Sequence, residues 1–306
     1  MRSPHIVSVC MLGTLALFSG CGITTESTHT RSAFGRNDIQ LVKSEADLPS
    51  HVRERFGVLV AEMPPASPQD QPSFWPVCGA LIIDQRHIVT NAHCVEQPQL
   101  KMHFLRGYLA TGDSQLEVRG IADQDIDLLR LALNGEVARP LSPGSEDISL
   151  SKVAGVNKEL DIAVLVSEKD TGSSQLIAPN SPNEAAATLF HFPNGQPLAL
   201  SANCIYTHSN EELFGRHDCD SLPGSSAGIL VSQEGGEILA IHRSGRVQNS
   251  YRHYLKDQRF ETMQEMVGDK CTGAESQEKC LRERSFNKAI PIANVLEWQS
   301  GVRDPS

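Results

Sequence analysis

The sequence predicts an all-β chain: two antiparallel six-stranded β-barrels in one unit, followed by a short C-terminal helix. Three observations carry that reading. From Val77 onward the chain breaks into short apolar runs bounded by turn-forming residues, at 80–83, 87–90, 100–104, 148–153, 162–166, 188–192, 229–231 and 238–241, with an earlier run at 55–62. Helical periodicity is weak outside 258–267 and 292–298. Aromatics make up only 5% while Gly (23) and Pro (17) are frequent, which suits short strands joined by turns. At 306 residues, 40% of them hydrophobic, the chain can bury one large core or two small ones.

The N-terminal segment stands apart from this pattern. Residues 1–20 read as a signal peptide: Arg2 and His5 are basic, and the apolar run 6–18 is too short to span a bilayer as a permanent helix. The run ends in Leu17-Phe18-Ser19-Gly20-Cys21, which resembles a bacterial lipoprotein cleavage box whose Cys is lipid-modified. An ordinary export signal with an incidental Cys is the other reading, and Phe18 is unusual for the box. Residues 21–50 are polar and rich in Thr and Ser, a tether between membrane and domain. The domain is then 51–306, with 254–286 as an insertion before the last strand and helix. The expected location is the bacterial cell envelope or outside the cell, touching the membrane only through the lipid. A formal net charge of −10 without a Lys/Arg cluster argues against nucleic acid as a partner.

Cysteine usage points the same way. Of eight Cys, Cys10 leaves with the signal and Cys21 carries the lipid. The other six fall into near-sequence pairs, Cys78/Cys94, Cys204/Cys219 and Cys271/Cys280, and local pairing is the simplest of the possible connectivities in an oxidising compartment. No Cys-x-x-Cys occurs and no two His sit three to five residues apart, so no metal and no other cofactor is expected.

Three segments carry chemistry. In Cys78-Gly79-Ala80-Leu81-Ile82-Ile83 and Ile88-Val89-Thr90-Asn91-Ala92-His93-Cys94, two apolar strands lead to a His held beside a Cys. A Cys78–Cys94 bridge would be worth roughly 3 kcal/mol in the chain-entropy model and would fix the turn presenting His93. In Asp220-Ser221-Leu222-Pro223-Gly224-Ser225-Ser226-Ala227-Gly228, Gly224 permits a backbone that aims N–H groups inward, two residues before Ser226. Leu160-Asp161-Ile162-Ala163-Val164-Leu165 opens an apolar strand with an acid, and Asp125-Ile126-Asp127-Leu128-Leu129 is its rival. An apolar run at 149–153 precedes Asp161, and the chain passes directly from it to the strands of a second barrel.

Together these segments resemble the trypsin-like (chymotrypsin-fold) serine peptidases over roughly 55–298, and among them the bacterial branch that includes glutamyl endopeptidases. The resemblance implies a triad of His93, Asp161 and Ser226, an oxyanion hole from the amides of Gly224 and Ser226, and protein or peptide substrates. Ala227 and Ile229 depart from the usual Gly and Pro, and a Cβ at 227 is expected to crowd the nucleophile turn. The family's N-terminal Ile/Val-Val-Gly-Gly start is missing, and Ser225 stands where an Asp pairs with that terminus. A catalytically inactive double barrel, serving as a surface binding module, is the alternative reading.

Substrate selection stays open at this level. The stretch 237–245 resembles the strand beside the specificity pocket, so Asp220, Ser221, His242, Arg243, Ser244 and Gly245 are candidate substrate contacts. In the glutamyl endopeptidases that the chain resembles, a His at the place of His242 with a hydroxyl residue at the place of Ser221 receives an acidic residue before the scissile bond (P1). The resemblance to trypsin implies Lys or Arg instead, through an Asp at the place of Asp220. The balance leans to acidic P1, with Asp220 turned away behind Cys219.

Overall fold

The computed structural model describes residues 39–63, 73–96, 101–110, 146–173, 177, 182–209, 211–222, 224–245 and 286–302. Cys21, the rival Asp125 and Asp127, the expected helix at 258–267, most of the 254–286 insertion, and Cys271 and Cys280 lie outside them.

Among the described residues the chain forms the expected pair of barrels. The first closes from β2 (Phe56–Met63), β3 (Ser73–Ile82), β4 (His87–Thr90), β5 (Lys101–Arg106), β6 (Glu146–Asn157) and β7 (Ile162–Ser167), in the order β2-β3-β4-β7-β6-β5. The second closes from β8 (Glu184–His191), β9 (Ala199–Thr207), β10 (Gly215–His217), β11 (Ile229–Ser232), β12 (Ile238–Ser244) and β13 (Asn287–Pro291), because β8 pairs with both β9 and β11. All of these pairings are antiparallel. The C-terminal helix (Ile292–Val302) runs longer than the periodicity indicated, and no helix of the described residues is long and apolar enough to cross a membrane.

Two differences from the sequence reading concern the entry to the domain. The expected tether ran to Ser50, yet β1 (Gln40–Leu41) adds to β9, and Val42 and Leu48 are buried. A helix (Ser50–Arg55) then precedes β2, so the strand begins at Phe56 rather than Arg55. Its two basic residues, Arg53 and Arg55, lie in the last turn, where they oppose the helix dipole favourably.

Burial explains where the site can form. One cluster of apolar side chains is confined to the first barrel (Leu59, Ile82, Ile88, Phe104, Leu165) and another to the second (Leu189, Tyr206, Leu230, Leu239). A third joins the barrels, bringing Phe56, Val58 and Leu81 together with Phe192, Ile229 and Ile241. The stacked rings of Phe56 and Phe192, 5.3 Å between centroids, mark that seam. The candidate residues lie along it.

Candidate active site

His93 sits in a short 3-10 turn (Ala92–Val95) directly after β4. Cys94 in that turn is bonded to Cys78 of β3, and the Thr90 hydroxyl donates to the Gly79 carbonyl at 2.8 Å. Asp161 lies in the turn between β6 and β7, in the left-handed region at φ 60, which Asp tolerates better than most residues. Its carbonyl accepts from the Ala92 N–H (3.0 Å) and the Asn91 amide (3.1 Å), stitching the two turns together. Main chain and disulfide therefore fix this pair before the side chains meet.

The side chains do meet. The Asp161 carboxylate accepts from the His93 backbone N–H at 3.1 Å, and its Oδ2 is 2.9 Å from His93 Nδ1. The other ring nitrogen, Nε2, is 2.9 Å from Ser226 Oγ. Since the carboxylate is an acceptor, Nδ1 carries the proton and Nε2 is the free base facing the hydroxyl. His93 and Asp161 are largely shielded from water, with side chains 11% and 13% exposed.

Ser226 is presented by the second barrel, on the turn between β10 and β11. Gly224 has φ +84, and a Cβ there would stand 2.7 Å from the Phe192 carbonyl oxygen, so only glycine fits. Ser226's carbonyl accepts from Gly79 N–H of the first barrel at 2.7 Å, and a Cβ on Gly79 would meet the Ala227 carbonyl at 2.6 Å. Gly79 thus lets the first barrel approach the Ser226 turn closely. Ala227 adopts φ 57, a left-handed conformation costing a non-glycine residue roughly 1–2 kcal/mol. Its methyl is packed in the apolar seam and its N–H donates to the His242 carbonyl at 2.9 Å.

The candidate substrate residues lie beneath this turn. Ser221, Asp220 and His242 are all buried. Asp220's N–H donates to Ser201 Oγ at 3.0 Å, and Ser221 Oγ accepts from the Asn287 amide at 3.3 Å. Behind His242 stands His217, which the motifs did not reveal: its Nε2 is 2.9 Å from His242 Nδ1. The second disulfide, Cys204–Cys219, holds the strand leading into this region.

Burial, reinforced by the neighbouring histidines, pushes His191 and His242 down to about 3 and His217 well below the ordinary range. They are neutral rings at working pH. The Cys219 N–H is donated to His217 Nδ1 at 3.3 Å, which puts that ring's proton on Nε2, where it is given to His242 Nδ1. His242 therefore carries its own proton on Nε2, the nitrogen away from His217.

Arg243 occupies an irregularity in the β12–β13 register, between His242 and Ser244. Its Nε is 3.6 Å from Asp161 Oδ2, and its guanidinium lies over the Phe214 ring at 4.4 Å. Ser244 pairs with Lys288, and Gly245 is the last described residue before 286. Cys78, His93 and Cys94 bring donor atoms within 4.8 Å of one another. Both sulfurs are committed to the disulfide, which leaves no thiolate for a metal.

The Trypsin family model matches residues 66–184, a span holding His93 and Asp161 but not Ser226. No curated protein sequence matches the chain. Among solved structures, the chain is similar to the serine endoprotease from Yersinia pestis, at 15% identity and a TM-score of 0.45, over 84% of this chain and 68% of that one.

Proposed function

We propose that the chain is an active, exported, lipid-anchored endopeptidase of the trypsin-like, chymotrypsin-fold type, a reading supported by the two barrels and by the Trypsin family model's match to residues 66–184. The observation that carries this is the unbroken line from the Asp161 carboxylate through both nitrogens of His93 to Ser226 Oγ, at 2.9 Å on each side of the ring. In the reaction, Ser226 Oγ attacks the scissile carbonyl carbon while His93 Nε2 takes its proton. Asp161 keeps the imidazole oriented and stabilises the imidazolium. The amides of Gly224 and Ser226 receive the negative oxygen of the tetrahedral adduct. His93 returns the proton to the leaving amine, and water then hydrolyses the acyl-enzyme by the same route.

We extend the reading to substrates with an acidic P1 residue. The His242 tautomer supports it, because a neutral imidazole offering Nε2–H is a donor for a carboxylate in a desolvated pocket. Ser221, whose Oγ already accepts from Asn287, has its hydroxyl proton left to donate. Profiling with a peptide library tests this part: cleavage after Glu, lost in His242→Ala, supports it. Dominant cleavage after Lys or Arg, lost in Asp220→Ala, overturns it.

The activity itself is tested by a fluorophosphonate probe on the purified protein, which labels only an activated serine. Ser226→Ala should abolish labelling with the fold intact, whereas Ser225→Ala should still be labelled. Labelling that survives Ser226→Ala removes Ser226 as the nucleophile. Radiolabelled palmitate incorporation, lost in Cys21→Ser, tests the anchor.

A further inference from the structure

Ser225, next to the nucleophile, turns its side chain the other way, into the core, where it is fully buried. Its Oγ accepts the Leu222 N–H at 2.9 Å and lies 2.6 Å from His191 Nδ1. Its backbone is equally committed: the N–H donates to the Leu222 carbonyl and the carbonyl accepts from Gly228, both at 2.9 Å. Every polar group of Ser225 thus pins the stretch that carries the Gly224 and Ser226 amides.

His191 ends β8 and forms the floor of this turn with Phe192. A Cβ on Gly228 would stand 2.9 Å from His191 Cβ, and one on Gly224 would stand 2.7 Å from the Phe192 carbonyl. The ring is completely buried, and its Nε2 has no partner among the described residues. Desolvation keeps it neutral. Ser225 Oγ accepts Leu222 N–H and keeps one proton and one lone pair, so it bonds a neutral His191 Nδ1 in either tautomer of the ring. An apolar side chain would fill this place without leaving a buried nitrogen unpartnered. The ring's polarity serves the bond to Ser225.

We infer that His191 and Ser225 are a positioning pair that sets the oxyanion turn through a neutral hydrogen bond. Where a charged partner for the residue before the nucleophile would depend on its ionisation, this pair needs none, so the turn is set by the fold itself. The inference rests on the peptidase reading above, and the test keeps the two apart. Steady-state kinetics and fluorophosphonate labelling rates are measured for the full chain and for His191→Leu, His191→Asn and Ser225→Ala. Leu removes the hydrogen-bonding partner of Ser225, whereas Asn returns a polar atom near the place of Nδ1.

A missing or misaligned oxyanion donor costs 10²–10³ in rate when lost outright. We expect kcat to fall on the order of 10-fold or more in His191→Leu and Ser225→Ala, with KM within about twofold and labelling correspondingly slower. His191→Asn should recover most of kcat. If His191→Leu does not fold, Ser225→Ala, which deletes one oxygen atom, decides alone. A labelled wild type whose Ser225→Ala variant melts lower yet keeps kcat within twofold overturns the pair as a positioning device. A wild type that takes no label overturns the peptidase reading beneath it.

Discussion

The two barrels share an architecture and differ in what they bury. The first buries a few polar side chains, each close to a specific partner: His103, for example, has Glu62 against Nε2 at 2.8 Å and Asp147 against Nδ1 at 2.9 Å. The second buries His191, Ser201, His208, His217, Asp220, Ser221, Ser225, His242 and Asn287, and among the described residues no carboxylate pairs with any of these four imidazoles in the way His103 is paired. The first barrel places its candidate residues, His93 and Asp161, with covalent and main-chain ties. The second must shape a turn and a pocket from side chains, so its interior is polar where the site needs it. A positioning role and a shaping role demand different cores.

If that division holds, losses in the first barrel should act on the triad alone. Asp161→Asn is expected to lower kcat by about 10⁴, since the amide favours the wrong imidazole tautomer while the main-chain ties remain. Asp125→Asn should change kcat less than twofold. Single-turnover kinetics rank the two, and the reverse order would move the acid to the other segment. In the second barrel, Gly224→Ala forces a Cβ against the Phe192 carbonyl from a left-handed backbone, and kcat should fall by about 10²–10³ through the oxyanion amide. KM should move little.

The disulfides sharpen the comparison because their loops are nearly equal, with separations of 16 and 15 residues. Chain entropy then assigns each about 3 kcal/mol, and chemical denaturation of the two Cys→Ala pairs should show similar stability losses. Their kinetic signatures should differ. Losing Cys78–Cys94 loosens the His93 turn and should lower kcat, whereas losing Cys204–Cys219 loosens the approach to Asp220 and Ser221 and should raise KM. Identical kinetic effects would remove the division of labour.

The same contrast decides what could be read from sequence. First-barrel strands β4 and β7 were legible because consecutive apolar residues, Ile88-Val89 and Ile162-Ala163-Val164-Leu165, are buried in them. Asp161 was legible because it opens such a run. The second barrel hid β9 and β10: in β9 the buried face is Ala199, Ser201, Cys204 and Tyr206, too small and polar to register as an apolar run, and Asn203 interrupts the alternation at φ 58. Ser226 was singled out by its turn chemistry, yet His191 and His217 carry no local signal, being isolated in sequence from every partner. Arg243 was expected to contact substrate, and its approach to Asp161 depends on a register irregularity that no pattern reveals. The residues 39–50 read as tether because their polar composition conceals the few side chains, Val42 and Leu48 among them, that dock on the barrel.

The polar core of the second barrel also has a thermodynamic consequence. His191 and His242 titrate at about 3 in the folded chain against an ordinary value of 6.5, because burial penalises their charged forms. Between those values the unfolded chain binds protons that the folded chain does not, so stability rises with pH. It is therefore complete above 6.5 and lost as pH falls towards 3. Each ring contributes a slope of up to about 1.4 kcal/mol per pH unit in that window. His217, lowered in the same direction, adds to it. Urea titrations at pH 7, 6, 5 and 4 measure the slope directly. A folded His191→Leu variant should show a shallower slope than wild type, because one of the protonating rings is gone. Equal slopes in the two proteins would mean that His191 is not held neutral by burial, and the contrast between the two barrel interiors would lose its energetic basis.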